Sequence, residues 1–218
     1  MPFASTLSAQ IQELVLMIPA ILFAVTFHEV AHGWVAEKFG DPTARLSGRL
    51  TLNPLSHIDP IGALMFIIAK FGWAKPVPVN PYNLRHPVRD MMWIAAAGPA
   101  ANLVLASLSL LTVQLLGPAL RSPGPQFLSQ PVLGILLWTY LLNLHLAAFN
   151  LIPIPPLDGS QILKGFLPRG ALFHYERLEP YGFVLLILFL ISGAAPVVLQ
   201  PIVSILQFFA GIPARTLT

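Results

Sequence analysis

Residues 28–32 read His-Glu-Val-Ala-His, two imidazoles four residues apart with a carboxylate beside the first. On a helix that spacing puts both histidines on one face, about 40° apart, where both can reach one metal ion. Imidazole nitrogens suit zinc, and Glu29 would stand where it can take a proton from water activated at the metal. A chain of this composition would carry the pattern by chance roughly 0.004 times. The competing reading makes these three residues the wet end of an interfacial helix.

A catalytic zinc site takes three protein ligands and leaves a fourth position open. Candidates for the third are His57, Asp59, His86, Asp90, Asp158, His174 and the carboxylates near it. Asp158 is favoured by its setting, because Asn150-Leu-Ile-Pro-Ile-Pro-Pro-Leu-Asp158-Gly159 ends a hydrophobic segment with three prolines. Those prolines break a helix and turn extended chain back under the apolar region, carrying a carboxylate to a depth where water solvates it poorly. Asp is equally a common N-cap, here for a helix starting at Gly159, and spacing alone leaves the two readings even. Asn143 and Asn150 share a helix face, and Asn102 lies in a stripe with Ala95, Gly98 and Ala106. Each of these asparagines fits either interhelical hydrogen bonding or donation to a substrate. His57, His86, His145 and His174 lack a partner at ligand spacing and read as loop or interhelical residues.

The elements that must position these groups are membrane spans. Hydrophobic residues make up 56% of the 218-residue chain and charged residues 10%, too few to cover a soluble surface. Residues 91–120, 122–157 and 180–214 carry no charge at all, and each run exceeds the roughly 20 residues that cross a bilayer core. The net charge of +3 is too small to suggest nucleic acid, and the absence of Cys excludes disulfide and thiolate chemistry. No Lys or Arg precedes Lys38, so the first apolar stretch reads as a span and not as a signal peptide. Expected spans run from about Ile11 to Ala36, Met91 to Leu116 and Val132 to Ile152. A fourth segment, about Tyr181 to Ala210, is interrupted by Gly193, Pro196 and Pro201 and reads as one kinked helix or two short ones.

Lys and Arg cluster in the 37–90 and 153–180 connections, ten against two on the other side when Lys70, Arg121 and Arg215 are included. The positive-inside rule places those connections, and the end of the first span with His28 to His32, at the cytoplasmic face. Within 37–90, the alternation at Arg45 to Leu52 predicts a short strand, and Ile61 to Ala69 predicts a segment dipping into the membrane. Lys75-Pro-Val-Pro-Val-Asn-Pro81 predicts an extended edge. The fold class expected is an all-α integral membrane protein: a three-helix core at about 11–165, a hydrophobic helical segment at about 180–210, and short strands or a re-entrant segment between the first two spans. The whole of 1–218 reads as one membrane-embedded domain.

Phe27-His-Glu-Val-Ala-His-Gly33, Gly98-Pro-Ala-Ala-Asn102 and Asn150-Leu-Ile-Pro-Ile-Pro-Pro-Leu-Asp158-Gly159 together resemble the site-2 protease family of intramembrane zinc metalloproteases, in its small, core-only branch. Leu52-Asn-Pro-Leu-Ser-His-Ile-Asp-Pro60 and Pro76-Val-Pro-Val-Asn-Pro81 add to that resemblance. It implies one zinc per chain held by His28, His32 and Asp158, with Glu29 as catalytic base and Asn150 or Asn102 as substrate or oxyanion donors. It further implies a transmembrane protein as substrate, cut within or beside its helix, and a plasma-membrane enzyme with a cytoplasm-facing site. The chain has no room for the peptide-binding domain that larger members insert between core helices, nor for the extra leading helix of some, so substrate recruitment by such modules is not expected, and a separate regulatory or adaptor protein enters as a candidate partner. A zinc-binding membrane transporter or scaffold without peptidase activity is the alternative, distinguished by whether Glu29 serves catalysis or metal binding.

Overall fold

The computed structural model describes residues 7–69, 72–120 and 126–209. Lys70, Arg121 and Arg215 of the charge count lie outside them. Three helices are long and apolar enough to cross a bilayer: α1 (Leu7–Lys38), α4 (Pro87–Leu120) and α5 (Gln126–Asn150). Between α1 and α4 come two short helices, α2 (Thr43–Leu46) and α3 (Pro60–Ala69). After α5 follow α6 (Asp158–Lys164), α7 (Arg169–Glu176), α8 (Gly182–Ile191) and α9 (Ala195–Phe209).

The three long helices pack through small side chains. Ala20 and Ala24 of α1, Ala95 and Ala106 of α4, and Ala147 and Ala148 of α5 are all buried, which lets the backbones approach closely in the absence of a hydrophobic driving force between helices. Leu and Val at the outward positions, such as Leu14, Val104, Leu108 and Leu115, are exposed as lipid-facing residues should be. The hydrophobic segment after residue 180 forms two helices bent by 93°, with Gly193 between them at φ 73°, a left-handed conformation that favours glycine. α9 turns back onto the bundle, where Val203 packs with Ala106, Leu110, Tyr140 and Leu144, and Gln207 donates to the Tyr140 hydroxyl at 3.0 Å.

The strand expected at Arg45 to Leu52 is not formed. Thr43–Leu46 is a helical turn, and Gly48, at φ 66°, reverses the chain so that the Arg49 amide returns to the Ala44 carbonyl at 2.9 Å. Eight residues of alternating polarity are a weak strand signal, and local turn hydrogen bonds outcompete them where no ladder partner is at hand. Among the described residues the only extended pairing is an isolated antiparallel bridge between Ile58 and Ala74. It closes a hairpin: α3 runs out, ten residues and about 15 Å long, and the chain returns past Gly62, where any Cβ would collide with the Trp73 carbonyl. Ile61, Leu64 and Ile68 project apolar surface from α3, and Trp73 stacks edge-on against Phe183 of α8. Residues 75–80 then run extended, without a ladder, to the foot of α4.

Candidate metal centre

His28 and His32 sit on the face of α1 turned toward α4 and α5. His28 is 6% exposed, so its ring must find partners inside the bundle. Its Nδ1 lies 2.7 Å from Asn102 Oδ1. The direction of that bond follows from the network behind it. Asn143 Nδ2 donates to the Thr139 carbonyl, which leaves Asn143 Oδ1 to accept from Asn102 Nδ2 at 2.7 Å; Asn102 Nδ2 also donates to the Ala24 carbonyl at 3.0 Å. Asn102 Oδ1 is therefore an acceptor, and His28 Nδ1 carries the proton. His32 Nδ1 faces the Ile94 carbonyl at 2.7 Å, which can only accept, so that ring has the same tautomer. In the neutral form of each ring, Nε2 then carries the lone pair that a metal ion would take.

Those lone pairs converge. The two Nε2 atoms are 3.0 Å apart, and Asp158 presents Oδ2 at 3.1 Å from His28 Nε2 and Oδ1 at 3.4 Å from His32 Nε2. Three acceptors facing one another repel unless a cation lies among them. Buried Asp158 Oδ2 has no hydrogen-bond partner among the described residues, as a ligand atom would not. Separations this short let one ion be reached by all three residues. His28, His32 and Asp158 thus form a group able to hold a metal ion, with hydrogen bonds to Asn102 and the Ile94 carbonyl that fix both imidazoles, and the donor set of two imidazoles and a carboxylate fits zinc.

Asp158 reaches this position because α5 ends at Asn150 and the Pro153–Pro156 stretch turns the chain under the bundle. It is the first residue of α6, whose N-cap is Leu157. Its carboxylate therefore points at the histidines instead of closing the helix start. Gly98 completes the cradle: a Cβ built there would stand 2.5 Å from His32 Nε2 and 2.6 Å from His28 Cε1, so α4 approaches the rings only because this residue has no side chain.

Glu29 is 9% exposed, and its Oε2 accepts the Val77 backbone amide at 2.8 Å. The asparagines divide. Asn102 and Asn143 have their amide groups committed inside the bundle, whereas half-buried Asn150 donates from Nδ2 to the Leu146 carbonyl of its own helix at 3.0 Å. Of the remaining ligand candidates, Asp59 caps α3 through the Gly62 amide, and Asp90 accepts the His86 amide at the start of α4. His57 is buried against the Thr51 carbonyl, His145 bonds Leu141 on its own helix, and His174 stacks on Phe173.

Two groups escaped the sequence reading. One is the Val77 amide. The other is Asp41, which gathers Asn80 N at 2.7 Å, Asn83 Nδ2 at 2.7 Å, Thr43 N at 3.1 Å and the Thr43 hydroxyl, and so pins the extended stretch to the end of α1. Burial alone would raise the Asp41 carboxyl, but these bonds from Thr43, Asn83 and Asn80 hold it below the usual carboxylate range. Its partners are 39 and 42 residues away, and no local spacing signals them.

The sequence profile described as Peptidase family M50 matches residues 119–192. "Putative zinc metalloprotease YwhC" of Bacillus subtilis is 36% identical over 205 residues, 90% of this chain and 91% of that protein. "Putative zinc metalloprotease Rip2" of Mycolicibacterium smegmatis is 35% identical over 188 residues, covering 83% and 68% of the two chains, and Rip2 of Mycobacterium tuberculosis is 31% identical over 186 residues, covering 81% and 67%. No solved structure matches the chain. With a relative of this identity aligned over nine-tenths of both chains and a His28, His32 and Asp158 group able to hold a metal ion, the chain belongs to peptidase family M50, the site-2 protease family, and is by that membership an integral membrane zinc metalloendopeptidase.

Proposed function

We propose that this protein, as a single membrane-embedded domain, hydrolyses peptide bonds within or next to the transmembrane helix of another membrane protein. The observation that carries the reading is the convergence of ligand atoms from His28, His32 and Asp158, with Glu29 next to His28 on the same helix, inside a bundle of three spans. Zinc bound there supplies a Lewis acid that lowers the pKa of water and polarises the scissile carbonyl. His28, His32 and Asp158 would hold it, with Asn102 and Ile94 O orienting the imidazoles. Glu29 takes the proton from the attacking water and passes it to the leaving amine. Asn150, half-buried at the end of α5, is the donor we assign to the carbonyl oxygen as negative charge develops on it. Water is scarce at that depth, which strengthens each of these interactions.

The surplus of Lys and Arg in the connections on the Asp158 side supports a site at the cytoplasmic face of the plasma membrane. A peptide bond in a helix has its carbonyl tied to the amide four residues on, so the substrate has to be unwound locally before it can be cut. The test is Glu29→Gln. The variant keeps size and hydrogen bonding but cannot serve as a base, so it should hold wild-type zinc and lose at least about 100-fold in cleavage of a single-span reporter. Cleavage at the wild-type rate would remove the mechanism, and loss of zinc would return weight to a metal-binding transporter or scaffold.

A further inference from the structure

The chain from Lys75 to Asn80 reads Lys-Pro-Val-Pro-Val-Asn, and proline has no backbone N–H. Between residues 76 and 78 the backbone therefore offers a single donor, the amide of Val77. That amide is buried and donates to Glu29 Oε2 at 2.8 Å across 48 residues of sequence. The stretch is fastened on both sides of this contact. Arg49 Nη2 donates to the Lys75 carbonyl at 2.7 Å, Lys75 N donates to the His57 carbonyl at 2.9 Å, and Asn80 N is held by Asp41. The Val77 side chain is seated as well, since a Cβ at Gly33, one turn beyond Glu29, would lie 3.0 Å from Val77 Cγ1. A carboxylate bonded at one oxygen only, by a donor that cannot rotate away, has its rotamer fixed and its other oxygen free.

We propose that the Val77 backbone amide is a positioning group for Glu29: it tethers Oε2 and leaves Oε1 to exchange the proton, while Pro76 and Pro78 keep any second amide of this strap from competing. This rests on the assignment of Glu29 as the base. An untethered glutamate on a helix samples several rotamers, and a base displaced by about 1 Å loses up to about 100-fold in rate. The effect falls on kcat and spares KM and zinc, because the tether touches neither substrate nor ligand.

Two arms test it. The first compares Val77→Pro, which deletes the N–H in an already extended chain, with Val77→Ala, which trims the same side chain but keeps it. On a single-span reporter that the wild-type protein cuts, kcat of Val77→Pro should lie at least about tenfold below that of Val77→Ala, at equal KM and equal zinc content. The second needs no turnover. Hydrogen exchange in the zinc-loaded protein should show the Val77 amide slow, equally slow in Glu29→Gln, whose carbonyl still accepts, and at least about tenfold faster in Glu29→Ala, with the Lys75 amide, bonded to the His57 carbonyl, unchanged as the internal control. Equal kcat in the two Val77 variants, or exchange indifferent to Glu29→Ala, overturns the proposal. Should Val77→Pro fail to fold, the exchange arm decides alone. Failure here is distinct from failure of the base assignment, which shows as wild-type cleavage by Glu29→Gln.

Discussion

Replacing Gly98 by alanine adds one methyl group at the point where α4 meets the two imidazoles. That methyl would lie 2.5 Å from His32 Nε2 and Cε1 and 2.6 Å from His28 Cε1, against an ordinary contact of 3.4 Å or more, so something must move by about 1 Å. The rings cannot yield freely, because their Nδ1 atoms are bonded to Asn102 and to the Ile94 carbonyl, both on the same helix as Gly98. Either a hydrogen bond breaks or α4 backs away, and overpacking of this kind costs about 1–3 kcal/mol. Ligand distances in a metal site tolerate only about 0.2 Å, so the displacement appears as metal affinity weakened about 10- to 100-fold. The assay is zinc competition against a chromophoric chelator in detergent, with helix content followed by circular dichroism to show that the bundle persists. Gly134→Ala is the matched control: its Cβ would lie 2.8 Å from Leu16 Cδ1, the far end of a flexible side chain that can rotate aside, and zinc affinity should be unchanged. Wild-type zinc affinity in Gly98→Ala would refute the argument that this close approach shapes the site.

Asn102→Leu deprives the His28 Nδ1 proton of its acceptor while filling similar volume, and should weaken zinc binding about 10- to 100-fold in the same chelator competition; an unaltered affinity would mean that packing alone orients the ring. Asp158→Ala removes a ligand and should release zinc on dialysis together with activity, whereas a variant with normal zinc and normal cleavage would reassign this residue to the start of α6. Asp41 has a carboxyl held below its ordinary value of 3.8, so the bonds it accepts stabilise the 41–83 clamp fully above that value and are lost as pH falls through the folded value. Protection of the 75–83 amides, taken relative to their intrinsic exchange rate at each pH, should therefore fall in acid in the wild type, while Asp41→Asn should be loosened already at neutral pH with the acid-dependent component gone; a wild-type acid profile of protection in that variant would assign the transition elsewhere.

What the sequence made legible followed from short-range periodicity. The helical pitch alone places His28 and His32 on one face, charge-free runs longer than a bilayer core mark α4 and α5, and the apolar stretch before Lys38 marks α1. Asp158 sat evenly between ligand and N-cap because the deciding fact, the direction of its side chain toward α1, is a tertiary one. Arg45 to Leu52 misled for the converse reason: alternation over eight residues carries little information when a positive-φ glycine and a turn can satisfy the same backbone groups. Asn102 and Asn143 could be placed in the bundle but not given partners, since the chain Thr139–Asn143–Asn102–His28 joins three helices. Prolines 76 and 78 announced an extended segment, yet nothing local says that the amide between them ends on a glutamate 48 residues earlier.

The most direct test of the account is to map the bond that the zinc-loaded protein cuts. A tagged single-span reporter with a helix-breaking residue in the cytoplasmic third of its transmembrane helix, incubated with the protein in bilayers, should give two fragments. Mass spectrometry should place the cut inside that helix or within a few residues of its cytoplasmic end, with Glu29→Gln giving no fragments. Cleavage confined to the reporter's soluble regions, or fragments at the wild-type rate from Glu29→Gln, would contradict an intramembrane zinc peptidase that uses Glu29 as its base.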